Sequence, residues 1–341
     1  MTNKELYQDF CTKVYVPIYS KSWWMDAICG EENWDVWLYE KGGEIVAAMP
    51  YYLEQRKAGL YITKPPLTQN NGIIFKYPDG AGKIAQAKFE EKVIDAANEF
   101  IDNLGLAVYE QQFHYSFTNW LPFSWQGCTA LPRYTYVIDR AEPIGDIWYG
   151  LSAKQRSCVK KGKRNTQRIG EISSEDFYNL HKQIFERQGL ACPFSEELWH
   201  RLDEICEKHK CCKKLAAFTD NGQVASLIYL IWDERSVYHL LGGGMQEFRN
   251  LDTYAALIWR GIELSRELDL AYDFEGSMIK RISKSFREFG GQPKLYFRIR
   301  KIYSPEVVEM EADQMIAKLK KGGGQAKCPI IAFPEYYMEA A

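Results

Sequence analysis

The sequence predicts an α/β protein (an α+β mixed sheet) of two related domains, each a twisted sheet flanked by helices. Three observations predict it. The chain has 341 residues, more than one ordinary core encloses. The hydrophobic period switches repeatedly between 3.6 and 2, so helices and strands alternate. The order of elements in the first half recurs in the second, and the joint Leu104-Gly105-Leu106-Ala107 is matched by Leu268-Asp269-Leu270-Ala271. The expected units are 1–150, 151–305 and a C-terminal tail, 306–341.

Composition sets the class. Hydrophobic residues make up 46% and charged residues 26%, the balance of a soluble folded chain. No apolar run is long enough to span a bilayer. The first residues, Met1-Thr2-Asn3-Lys4-Glu5, are polar and lack a signal core. Nine cysteines at irregular spacing read as reduced thiols, so a cytoplasmic location is expected. The net charge of −2 gives no global pull toward DNA, but residues 1–150 carry −6 and the remainder +4. A phosphate-bearing partner should therefore meet the C-terminal part.

The elements follow in order. Thr2 caps a helix through Leu6, Phe10 and Val14, and a second helix fits Ser22 to Ile28. Val36 to Glu40 and Ile45 to Tyr52 flank Lys41-Gly42-Gly43, a hairpin signal. Pro65 to Gly72 is loop. Lys83 to Leu104 is helical, with Ile84, Phe89, Val93, Ala97 and Ile101 on its inner face. Strands fit Leu106 to Gln111 and Tyr134 to Ile138. The basic run Lys154 to Arg168 reads as a helix. Helices then fit Ser174 to Arg187 and Ser195 to Lys208, the second capped by Ser195 ahead of Glu196 and Glu197. Leu215 to Phe218 and Val224 to Tyr229 flank Asp220-Asn221-Gly222, another hairpin. Val237 to Leu241 is a strand, Asp252 caps a helix through Leu264, and Leu270 to Glu275 is a strand. A short helix from Met278 to Phe289, a strand from Lys294 to Lys301 and a charged helix after Ser304 complete the pattern. Lys320 to Gly324 reads as a flexible joint.

Three stretches can carry chemistry. Gly242-Gly243-Gly244 through Asn250 lies between a strand and a long helix, where glycines let backbone N–H groups approach a phosphate. It matches neither G-x-G-x-x-G nor a P-loop, and the glycines equally suit a plain loop. Asp273 and Glu275, at the end of a strand, share one face and suit amine orientation or general-base work; two solvated charges are the bland reading. Lys154, Arg156, Lys160, Lys161, Lys163, Arg164 and Arg168 crowd one helix, which suits a polyanion or a solvated linker. Cys206, His209, Cys211 and Cys212 fit no common zinc spacing and read as buried thiols beside a helix-end histidine. His239 alternates with Val237 and Leu241 and reads as a core histidine. His114 lines a pocket or caps its strand.

Asp273-Phe274-Glu275-Gly276-Ser277-Met278, followed by Phe286-Arg287-Glu288-Phe289-Gly290 and Tyr296, resembles the C-terminal signature of acyltransferases with two GNAT-like domains. That group includes the Fem-type aminoacyl ligases of peptidoglycan synthesis and GNAT N-acetyltransferases. Pro66-Leu67-Thr68-Gln69, Phe123 to Gly127 before Arg133 to Tyr136, and Leu151-Ser152-Ala153-Lys154-Gln155-Arg156 extend the resemblance over roughly residues 20–300. It implies two tandem GNAT-like domains and transfer of an acyl group, acetyl being expected, from an activated donor such as acyl-CoA to a small-molecule primary amine. The Fem-type alternative uses aminoacyl-tRNA and a peptidoglycan precursor. A non-catalytic module binding a nucleotide-sugar or a protein is the third reading. The acyl-CoA loop pattern of the family is not matched between Gly242 and Asp252. On this reading Asp273 or Glu275 orients or deprotonates the amine. Gly243, Gly244, Arg249, Asn250, Lys154 and Arg156 hold donor phosphates, and Gln69, His114 and Tyr254 line the cleft. No metal and no tightly bound cofactor is expected; acyl-CoA enters as a cosubstrate.

Overall fold

The computed structural model describes residues 1–187 and 189–321. The chain forms α1 (Asn3–Lys13), α2 (Ser22–Cys29), β1 (Trp34–Lys41), β2 (Glu44–Arg56), β3 (Gly59–Thr63), β4 (Ile74–Phe75), α3 (Lys83–Asp102), β5 (Leu106–Gln112), α4 (Leu121–Trp125) and β6 (Thr129–Ile138). Then come α5 (Ile144–Gly150), α6 (Ala153–Asn165), β7 (Arg168–Glu171), α7 (Ser174–Glu186), α8 (Glu196–Lys208), β8 (Cys212–Phe218), β9 (Val224–Trp232) and β10 (Ser236–Gly244). The last elements are α9 (Thr253–Glu267), β11 (Ala271–Asp273), α10 (Lys280–Glu288), β12 (Gln292–Ile302) and α11 (Pro305–Lys321). Of the expected tail, the joint from Gly322 onward lies outside the described residues.

Contacts divide the chain into two compact units: Met1–Pro132 with the segment from Tyr296, and Arg133–Leu295. The joints expected at 150/151 and 305/306 differ from this division for a topological reason. The first unit has the order β1-β2-β3-β5-β12, with β4 on β2. The second has β7-β8-β9-β10-β11-β6. In each, a parallel pair (β3–β5, β10–β11) is followed by an antiparallel closing strand. The closing strand of the first unit is the last strand of the chain, and that of the second unit is β6. Adjacency in sequence therefore misplaces both joints.

The duplication is visible in backbone detail. The long helices α3 and α9 are each followed by a left-handed residue: Gly105 (φ 66°) two places after the cap Asn103, and Asp269 (φ 54°) directly after the cap Leu268. In the first unit α3 packs Phe89, Val93, Ala97 and Ile101 against Tyr109, Phe113, Phe123 and Ile299. Ile84, expected on the same face, is 76% exposed because it lies in the first turn of the helix. In the second unit α9 buries Leu257, Ile258 and Ile262 with Ile228, Leu230 and Ile138. The alternate residue of β9, Tyr229, meets Trp199 of α8 and Phe177 of α7 in ring contacts at 4.8 and 5.6 Å. The sheet of this unit thus carries helices on both faces, as period-two burial requires.

Local chemistry explains the helix starts. Thr2 and Glu5 form a reciprocal capping box on α1. Ser195 accepts from the N–H of Leu198 at the start of α8. Asp252 was expected to cap α9 with its side chain; instead it is left-handed (φ 58°), makes no capping bond, and pairs with Lys161 at 3.1 Å. Gly162 explains how α6 reaches it. A Cβ there would stand 2.2 Å from the Asp252 carbonyl oxygen, so only glycine permits this crossing.

Candidate active site

The second unit contains a place where two parallel strands part. β10 pairs with β11 only over Ser236–Tyr238 and Ala271–Asp273. On its other edge β10 continues to pair with β9 as far as Gly244. A bulge between His239 and Leu241 sits just where the pairing to β11 ends. Among the described residues, β10 past Tyr238 therefore carries strand pairing on one edge only.

The expected glycine-rich turn is not a turn. Gly242, Gly243 and Gly244 are strand residues paired with Ile228, Leu227 and Ser226. Their lack of side chains serves packing at two of the positions. A Cβ on Gly242 would meet the Tyr254 hydroxyl at 2.9 Å and His239 Nε2 at 3.1 Å, and one on Gly243 would meet Ile184 at 3.0 Å. The connection to α9 is a tight 3-10 turn, Gln246–Leu251, carrying Arg249 and Asn250 on its exposed surface. Asn165 Nδ2 donates to the Leu251 carbonyl at 3.0 Å, and Arg187 pairs with Glu247.

Asp273 is the last residue of β11 and is buried. Its Oδ1 accepts from the Thr135 hydroxyl and, at 2.8 Å, from the N–H of Glu275. Its Oδ2 has no hydrogen-bond partner among the described residues. Burial raises its pKa to about 6, against the lowering effect of those two donors, and Asp233 adds to the rise. The strand expected through Glu275 stops two residues early because the Asp273 carboxylate holds a turn. Glu275 (φ 66°) and Gly276 (φ 68°) are both left-handed, so Asp273 and Glu275 do not share a strand face. Gly276 is required: a Cβ would lie 2.2 Å from the Tyr134 carbonyl oxygen.

His239 is buried and lies between two tyrosines. Its Nε2 is 2.9 Å from the Tyr254 hydroxyl and its Nδ1 is 3.2 Å from the Tyr272 hydroxyl. Burial pulls its pKa down to about 3. It fits the core-histidine reading by burial, yet it contacts Tyr254, which is only partly buried at the start of α9. Sequence reasoning does not join the two, because they stand fifteen positions apart with a loop between them.

The basic helix is largely committed to structure. Arg156 Nη1 donates to the carbonyls of Tyr149 and Leu151 at the end of α5. Lys163 pairs with Glu263 at 3.0 Å, and Lys160 lies over Trp148. Lys154 remains exposed in the first turn of α6. Arg168, expected in the helix, begins β7. Gln69 and His114 belong to the first unit. There the Gln69 carbonyl accepts from Gln112 at 3.0 Å, and His114 Nδ1 accepts from the N–H of Ser116, capping the turn after β5. Among the described residues, Asp203, Glu207 and Cys212 form the one grouping with metal-ligand spacing, and the Lys214 ammonium is bonded to both of its carboxylates. Cys206 and Cys211 are buried thiols beside them.

This fold has counterparts. Residues 153–277 match the family model for an acetyltransferase (GNAT) domain. The structure of FemX aligns over 91% of this chain and 98% of its own, with a TM-score of 0.66 and 12% identity. A tandem GNAT protein from the clavulanic acid biosynthesis pathway aligns over 89% and 95%, at 0.51 and 11%. A C-terminal domain (DUF2156) assigned to a lysylphosphatidylglycerol synthetase from Agrobacterium fabrum aligns over 94% and 96%, at 0.51 and 10%. No curated protein matches by sequence. The chain has the GNAT-type acyltransferase fold, and the resemblance to tandem GNAT-like proteins holds. Among the described residues no helix is long and apolar enough to cross a membrane.

Proposed function

We propose that this protein transfers an acyl group from an activated donor to a primary amine, in the cleft where β10 and β11 part, with Asp273 as general base. The observation that carries this reading is the Asp273 carboxylate. It is buried, fixed through Oδ1, open at Oδ2, and raised to about 6 by burial. A base with that affinity takes a proton from an attacking amine near neutral pH. The unpaired edge of β10 from His239 to Gly244 offers main-chain N–H and C=O groups to an extended, amide-bearing donor such as acyl-CoA. Gly243, Gly244 and Asn250 line that path, with Lys154 and Arg249 as the exposed cations for its phosphates. Glu275 orients the amine. The chemistry needs alignment, a base and a stabilised oxyanion.

A second donor, aminoacyl-tRNA acting on a peptidoglycan precursor, is favoured by one feature. Asp252, the residue before α9, where a helix N-terminus would meet a pyrophosphate, brings a carboxylate and its Lys161 partner to that position. Thermal-shift and turnover assays on the full chain separate the donors. Acetyl-CoA at 100 times its Kd adds about 2.7 kcal/mol of stability. Stabilisation by acetyl-CoA with amine acetylation supports the first reading, and stabilisation by aminoacyl-tRNA with aminoacyl transfer supports the second. Absence of transfer from either donor refutes acyl transfer and leaves a binding module.

A further inference from the structure

The hydrogen bonds of His239 have a direction that the structure decides. A neutral imidazole has one donor nitrogen and one acceptor nitrogen, so its two hydroxyl partners must take opposite roles. Tyr272 is fully buried, and its hydroxyl packs against Gly261, where a Cβ would come within 3.0 Å. Among the described residues that hydroxyl has His239 Nδ1 as its one hydrogen-bond partner. If Nδ1 carried the ring proton and donated to Tyr272, the phenolic proton of Tyr272 would be stranded without an acceptor. A stranded buried donor is costly, whereas an oxygen with a spare lone pair is not. Tyr272 therefore donates to Nδ1, and Nε2 keeps the ring proton. Nε2–H then donates to the Tyr254 oxygen at 2.9 Å. The proton of Tyr254 is left to point away from His239. Tyr254 is partly exposed at the first turn of α9, beside Gly242, where β10 has lost its pairing to β11.

We infer that Tyr254 is a catalytic hydrogen-bond donor to the carbonyl oxygen of the acyl group, and that His239 and Tyr272 hold it in the donating state. The inference rests on the acyl-transfer reading above. In the step it serves, the amine nitrogen forms a bond to the carbonyl carbon and the C=O π pair moves onto oxygen. That oxyanion accepts a hydrogen bond from Tyr254 without taking its proton. The pair then returns, the bond to the leaving group breaks, and the leaving group departs with its electrons while Asp273 receives the amine proton. Donation from Nε2–H into the phenol oxygen strengthens the phenol as a donor. Burial keeps His239 neutral, so the order of donors does not change across the working pH range. His239 and Tyr272 are positioning residues in this scheme.

The test has two independent readouts on the full chain. The first is ¹⁵N NMR of the His239 ring. A neutral Nε2–H tautomer is expected, with Nε2 shifted in Tyr254→Phe; an Nδ1–H tautomer overturns the proposal whether or not activity is found. The second is kinetic, with one acyl group carried on a thioester and on an oxygen ester. Tyr254→Phe should lower kcat about 10²-fold with KM nearly unchanged, equally for both leaving groups. His239→Leu should match it, and His239→Gln, whose amide supplies an N–H, should recover most of the rate. Undiminished kcat in Tyr254→Phe, or a loss that grows with leaving-group basicity, refutes donation to the carbonyl oxygen. A wild-type protein that transfers no acyl group from any donor defeats the acyl-transfer reading, and the ring tautomer then still decides the polarity of Tyr254.

Discussion

Replacing Asp273 by Asn separates the chemistry of this residue from its structural work. The Asn carbonyl can still accept from Thr135 and from the N–H of Glu275, so the turn at Glu275-Gly276 is retained. What disappears is a buried charge. The carboxyl is raised from 3.8 to about 6 by burial, roughly two units, equivalent to about 3 kcal/mol. The folded state therefore binds more protons than the unfolded state between about pH 4 and 6, and wild-type stability falls as pH rises through that window. Below pH 4 the acid is neutral in both states and the variant should gain little. Above pH 6.5 the variant should be more stable by about 2–3 kcal/mol, a rise of about 5–10 °C in Tm for a unit of this size. Over the same range, acyl transfer should fall at least 10²-fold, and the acidic limb near pH 6 should vanish from the residual rate. Differential scanning fluorimetry from pH 4 to 8, together with initial rates, measures both. A Tm difference independent of pH would refute the buried-charge argument, and full activity would remove Asp273 from the mechanism.

Two further substitutions probe the frame that holds the site. Gly276→Ala should cost about 3 kcal/mol or more in a guanidinium titration and abolish transfer, because the new Cβ meets the β6 backbone at 2.2 Å in a left-handed position; a neutral result would mean the turn is not built this way. Lys214→Met should cost about 3–5 kcal/mol by leaving the buried Asp203 carboxylate unpaired, and adding Asp203→Leu should restore most of it; equal losses in the single and double variants would show that the ion pair is not the cause.

Much of the architecture was legible in the order of elements, because period-two and period-3.6 patterns survive wherever one face is buried. The long helices, the hairpins at Lys41-Gly42-Gly43 and Asp220-Asn221-Gly222, and the matched joints at Leu104 and Leu268 belong to this class. The strand at Gly59–Thr63 is absent from the sequence pattern above although Leu60-Tyr61-Ile62-Thr63 carries the β-branched and aromatic signal, because it is only five residues long. The exchange of closing strands left no local trace, since β6 and β12 read as ordinary strands wherever they pair. The site divides along the same line. Asp273 was legible because a carboxylate at a strand end ahead of glycine is a local pattern. The run Gly242-Gly243 reads equally as a turn or as strand because glycine answers two needs, turning the backbone and making room, and only the neighbours tell which. Here the neighbours are Ile184, Tyr254 and His239, from three different elements. Strand alternation places His239 in the core, and its burial agrees. What alternation cannot show is that a buried ring with two hydroxyl partners transmits polarity from the core to a partly exposed phenol. Function enters this fold through such contacts between elements, so the residues that decide it are those whose partners lie farthest away in sequence.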